Sequence, residues 1–147
     1  MKNTLIAALA LSLMTAAPAL AQETPSAPDA SVYFVNLKDG DTVKGPVKVN
    51  FGLSGMGIAP AGIEKDNTGH HHLFINRPPF LEGEDGADEA IYGIPADDNH
   101  VHYGGGQTET TLDLGPGTHT LQMVLGDMNH VPHNPPVVSE VITITVE

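Results

Sequence analysis

The 147-residue sequence has no cysteine and no tryptophan. Without thiols there can be no disulfide, no blue-copper centre, no Cys-rich zinc site and no Cys nucleophile. Nor is there a cysteine to carry a lipid anchor behind an export signal. Basic residues are scarce, with 6 Lys+Arg against 18 Asp+Glu. A surface of that sign repels nucleic acid and anionic lipid, so neither is expected as a partner. Such acidity keeps an exported protein soluble and can also gather cations. Long apolar runs are missing as well. After the first residues nothing approaches the roughly 20 apolar positions that a bilayer span requires, so no membrane insertion is expected once an export signal is removed. No helical hydrophobic period of useful length occurs either.

The first residues carry what the rest lacks. Lys2 supplies a positive start, Leu5 to Met14 an apolar stretch, and Ala19-Leu20-Ala21 a small-residue cleavage site. Together they read as a secretory signal peptide over residues 1–21, cleaved after Ala21, which implies a periplasmic or secreted protein. Residues 22–30 (QETPSAPDA) are polar and proline-bearing and read as a flexible leader. Residues 31–147 have the length of one domain.

Strand signals dominate that domain. Ser31 to Leu37 is rich in β-formers, and Pro46 to Leu53 alternates with Val47, Val49, Phe51 and Leu53 on one face. His70 to Asn76 runs into Arg77-Pro78-Pro79, which cannot continue a ladder. Asn99 to Tyr103 is short and extended, and Gln107 to Leu114 alternates weakly before a Gly115-Pro116-Gly117 turn. Thr118 to Leu125 aligns His119, Leu121, Met123 and Leu125, and Ser139 to Val146 alternates again. Between these strands, Glu82 to Glu89 reads as a solvated acidic loop. The pattern predicts an all-β fold, an immunoglobulin-like β-sandwich of six or seven short antiparallel strands.

Histidine is the chemical emphasis, with 8 residues, seven of them in three sets and His119 apart. In Gly69-His70-His71-His72-Leu73-Phe74-Ile75-Asn76 a strand sends His70 and His72 to one face, and His71 to the other with Leu73 and Ile75. His100-Val101-His102 repeats the spacing of two. His130 and His133 lie in a proline-stiffened loop with Asp127 and Met128. Imidazoles spaced by two offer a metal two nitrogens from one rigid surface. The candidate metal residues are therefore His70, His72, His100, His102, His130, His133 and Asp127, the carboxylate as ligand or orienter. A set dominated by imidazole suits copper or zinc rather than calcium or magnesium, and the exported setting together with Met128 puts copper first and zinc second. His71 and His119 read as structural, on faces shared with core residues.

Three segments, Gly69 to Asn76 (GHHHLFIN), His102 to Glu109 (HYGGGQTE) and Gly117 to His133 (GTHTLQMVLGDMNHVPH), resemble domain-of-unknown-function family 4399. The resemblance covers roughly residues 55–147 and implies a small β-rich envelope domain of no established activity. An ATPase label attached to some members of that family has no counterpart here, because the sequence has no Gly-x-x-x-x-Gly-Lys-Ser/Thr loop.

Catalytic classes find little footing. His100-Val101-His102 in a sandwich resembles copper-zinc superoxide dismutase, but that family's disulfide is impossible and its further ligand motifs are not recognisable. A histidine-brace copper enzyme needs an N-terminal histidine, whereas cleavage after Ala21 exposes Gln22. Ser54 and Ser139 lack a nucleophile-elbow context, and the acidic tract lacks the EF-hand pattern. The sequence thus predicts no enzyme but a periplasmic metal-binding domain for copper handling or buffering, with the metal ion as partner. The alternative is an immunoglobulin-like envelope interaction module, with another periplasmic protein as partner, whose histidines are structural or pH-responsive and which holds no metal.

Overall fold

The computed structural model describes residues 24–147. The expected signal peptide and its expected cleavage site lie outside those residues. In chain order the described elements are β1 (Ser31–Phe34), β2 (Thr42–Val43), β3 (Val47–Ser54), β4 (Gly57–Ile58), β5 (Thr68–Ile75), α1 (Gly86–Tyr92), β6 (His100–His102), β7 (Glu109–Leu112), β8 (Gly117–Gly126) and β9 (Ile142–Val146). No helix among the described residues is long and apolar enough to cross a membrane.

Alternation builds the core. In β3, Val47, Val49 and Phe51 turn inward, and β3 sits between β1 and β7 in an antiparallel three-stranded sheet. The larger sheet has the order β2-β9-β8-β5-β4, with β6 also paired to β5. Its central ladder pairs His71 with Leu125, Leu73 with Met123 and Ile75 with Leu121, so these residues share the face turned to the smaller sheet. Leu73, Leu121, Met123, Leu125 and Ile144 are fully buried there, with Val32, Val49 and Phe51 in the same apolar cluster. Each such side chain contributes roughly 1.5–3 kcal/mol by leaving water.

The all-β sandwich expected from the sequence is therefore what the chain forms. Nine strands are described rather than six or seven, because β2 and β4 are two-residue ribbons with no alternation to read. Both pair in parallel, β2 with β9 and β4 with β5, so the larger sheet is mixed rather than purely antiparallel.

The outer face of the larger sheet is covered too, which is why β5 is buried from Gly69 to Ile75. The chain between β5 and β6 folds back over it. Phe80 and Ile94 pack on Phe74 and Val124, with Ala90 beside them. The Phe80 amide donates to Gln122 Oε1 (2.8 Å), and the Gln122 side-chain amide donates to the Ser139 carbonyl (3.1 Å). This cover corrects the expectation of a solvated acidic loop. Glu82, Glu84, Asp85 and Asp88 are exposed, but Glu89 lies on α1 and is buried against Arg77 and His100. Asp88 and Glu89 occupy the first turn of α1, where negative charge favours a helix.

The segment read as a flexible leader is paired where it is described. Pro25 bridges Asn134 in parallel, the Asn134 amide donates to the Thr24 carbonyl (2.9 Å), and the Ser26 amide donates to the Asn134 carbonyl (3.2 Å).

Candidate metal centre

β5 distributes its three histidines as a strand must. His71 enters the core, its ring 5.0 Å from Phe51, and burial pulls its pKa down to about 4. Neither of its ring nitrogens meets a protein hydrogen-bond partner. His70 and His72 project from the opposite face and are fully buried beneath the cover.

The register of β5 with β6 places His72 directly opposite His102, and their rings stack at 5.1 Å between centroids. His130 comes from the loop after β8 and sets its ring edge-on to His102 at 4.5 Å and to His70 at 5.1 Å. His70 Nε2 lies 3.0 Å from His72 Nε2 and 3.2 Å from His130 Nδ1. One ligand nitrogen from each of His70, His72, His102 and His130 falls within 4.8 Å of all the others.

Those distances suit a metal ion. With metal–nitrogen bonds of about 2.0–2.1 Å, neighbouring ligands stand about 3.3 Å apart around a tetrahedron and about 2.9 Å apart in a square plane. The two short separations already lie at that spacing, and the widest needs only a small inward ring movement.

The local electrostatics keep lone pairs available. Burial, then the neighbouring imidazoles His102 and His130, lower the pKa of His70 to about 4, with Asp127 opposing. Burial, followed by His70, His102 and His130, takes His72 to about 2. His102 is lowered by burial and by His130. At neutral pH these three rings are uncharged, so an arriving cation displaces no proton from them. His70 Nδ1, His72 Nδ1 and His102 Nε2 are buried with no protein partner.

Two glycines shape the cradle. A Cβ on Gly126 would stand 2.7 Å from His72 Nε2, and one on Gly104 would stand 2.4 Å from His102 Nε2. Only a residue without a side chain lets those rings lie against the backbone.

Asp127 holds the loop rather than joining the cluster. Its Oδ1 accepts the amides of Asn129 (2.8 Å) and Val131 (3.0 Å), and the His130 amide donates to its carbonyl (3.0 Å). This turn carries His130 in the left-handed region at φ 67°. The Met128 carbonyl accepts the Gly62 amide (2.9 Å), and the Gly104 carbonyl accepts the Ala61 amide (2.8 Å). The 59–62 loop thereby ties the turn that bears His130 to the turn after His102.

The other expected ligands stand apart. His100 lies on the same face as His102 but opposite Phe74, one pair further along the ladder. Its Nδ1 meets Asp97 Oδ1 and its Nε2 meets Glu89 Oε1, each at 2.8 Å, and Arg77 contacts both His100 and Glu89. Arg77 also lies over the Phe74 ring at 4.4 Å. The His100 contact holds the Asp97 carboxyl below the usual carboxylate range. His133 spans the carbonyls of Leu125 (3.3 Å) and Thr68 (3.2 Å) and fastens the loop to the sheet. His119 has a structural place, between the Asn76 side chain (2.9 Å) and the Gly115 carbonyl (2.7 Å). The Arg77–Glu89–His100 network and the Thr24 contact to Asp127 were not foreseen. No spacing signal marks residues that meet across 11 to 103 positions.

The family model described as a domain of unknown function, DUF4399, matches residues 49–147. The chain belongs to the DUF4399 family. The matched part contains His70, His72, His102 and His130 and leaves out β1, β2 and the 24–30 segment. No curated protein and no solved structure matches the chain. The immunoglobulin-like relation therefore rests on the strand pattern alone.

Proposed function

We propose that this DUF4399 domain is an exported transition-metal-binding protein that handles or buffers copper, with zinc as second choice. The observation that carries the reading is the group of four imidazoles whose ligand nitrogens lie within 4.8 Å. No carboxylate belongs to the set, which disfavours calcium and magnesium. At a nitrogen site Cu(II) outranks the other divalent first-row ions, and imidazole suits it as well as zinc. Four protein ligands are the mark of a closed site, which favours holding a metal over turning a substrate over. The signal-like residues 1–21 support the periplasm as the place of action.

The pH-responsive module is less well supported. A switch near pH 6 needs imidazoles of ordinary basicity, whereas His70 and His71 titrate near 4 and His72 near 2.

Calorimetric titration of the tag-free protein with Cu(II) and with Zn(II) tests the proposal. Saturable one-to-one binding at micromolar or tighter affinity is expected for Cu(II), abolished in the His72→Ala/His102→Ala double variant while the circular dichroism stays that of the wild type. Undiminished affinity in that variant refutes the ligand assignment.

A further inference from the structure

The Asp127 carboxylate is 3% exposed and uses both oxygens. Oδ1 organises the turn that presents His130, through the Asn129 and Val131 amides. Oδ2 accepts the Thr24 hydroxyl at 2.6 Å, across 103 residues of sequence. That distance is short, and hydroxyl–carboxylate bonds are among the stronger hydrogen bonds a protein makes. The same N-terminal segment is fastened at three further points. Two are the backbone bonds of Thr24 and Ser26 with Asn134, and the third is the Ser26 hydroxyl, which donates to the Pro135 carbonyl (2.8 Å). Of the four cluster histidines, His130 alone comes from a loop; the other three are fixed by strand register.

We infer that Thr24 is a positioning residue for the metal centre, a latch that acts through Asp127 to preset His130; this rests on the metal-binding reading above. Three ligands pinned on β5 and β6 need a fourth held in place before the ion arrives, because ordering a free loop on binding would subtract from affinity. His130 sits at a positive φ that an L-residue adopts only when its surroundings impose it. Asp127 imposes it from within the turn, and Thr24 fixes Asp127 from outside. By linkage the coupling runs both ways. An ion that draws on His130 tightens the latch, so metal occupancy also controls how firmly the chain ahead of β1 is held.

The test is a double-mutant cycle read by Cu(II) affinity and by electron paramagnetic resonance. Thr24→Val keeps the shape and removes the donor; it should weaken Cu(II) binding about tenfold or more and change the nitrogen superhyperfine pattern. Thr24→Ser should restore affinity to within about twofold. In a His130→Ala background the Thr24→Val change should cost nothing further, because its route to the metal is gone. In the wild type, Cu(II) should slow hydrogen exchange at the Ser26 amide. Unchanged affinity in Thr24→Val, or an equal loss with and without His130, overturns the latch while leaving the centre standing. Failure of the wild type to bind Cu(II) or Zn(II) overturns the metal reading and the latch with it.

Discussion

His71 is the one histidine of β5 that the metal reading does not use, and replacing it with leucine gives a sharp test of how the two faces of that strand divide their labour. Its ring is 1% exposed, lies 5.0 Å from Phe51, and finds no protein partner for either nitrogen. A buried polar group left without a partner costs about 1–3 kcal/mol. His71→Leu should therefore stabilise the protein at pH 7.5 by about 1–3 kcal/mol, less whatever a branched aliphatic side chain loses in place of the ring against Phe51. The pH dependence adds a second, independent number. Burial lowers the pKa of His71 from 6.5 to about 4, so between those values the unfolded chain binds the proton and the folded protein does not. Stability is then unaffected above pH 6.5, falls as the pH drops below it, and stops falling from this cause below about 4. At about 1.4 kcal/mol per pH unit, His71 alone removes roughly 3 kcal/mol on going from pH 7.5 to 4.5. The variant should escape that loss, so its advantage over the wild type should widen by roughly 3 kcal/mol across the interval. Urea unfolding of both proteins at the two pH values, with chelator present, measures it. Metal affinity should stay within about twofold, since the side chain points away from the cluster. A variant less stable than the wild type at pH 7.5, or one with the same pH slope, refutes this account of His71.

Gly126→Ala should weaken Cu(II) binding by about tenfold or more without altering any ligand, because the new Cβ would stand 2.7 Å from His72 Nε2; calorimetry of the folded variant measures this. His100→Ala should leave Cu(II) affinity within about twofold and lower stability by about 3 kcal/mol in urea unfolding, because it strips a partner from the buried Glu89–Arg77 pair. Loss of metal binding in that variant would place His100 in the centre after all. Cu(II) should stay bound on acidification through pH 6, where a solvent-exposed histidine tag lets go, because His70 and His72 resist protonation until about 4 and about 2; titrating the Cu(II) absorption against pH follows the release.

Much of the fold could be read from alternation. Val47, Val49 and Phe51 in β3, and Leu121, Met123 and Leu125 in β8, are the buried faces that a period of two predicts. The opposed directions of His71 and of His70 with His72 follow from the same rule. What alternation cannot supply is register. His100 and His102 look equivalent in sequence, and the β5–β6 ladder gives His102 to His72 and His100 to Phe74. Similarly, His130 and His133 differ only in how the loop turns, and the Asp127 side chain decides that. The burial of Glu89 depends on Arg77 and His100, both distant in sequence, and a seven-residue helix is too short to show a period. Gly126 carried no signal, because its significance lies in the ring that rests on it.

The two faces of β5 also bear on how the protein could take up and give up an ion. Its inward side chains are shared with the smaller sheet, and its outward ones with a cover built from loops and one short helix. On the metal-binding proposal, loading and unloading would need only the outer cover to yield, while the sandwich beneath stays intact. A carrier built this way can exchange its cargo in the native state, with no cycle of unfolding. Its selectivity could be rewritten at His102 or His130 without retuning the layer that keeps the chain folded.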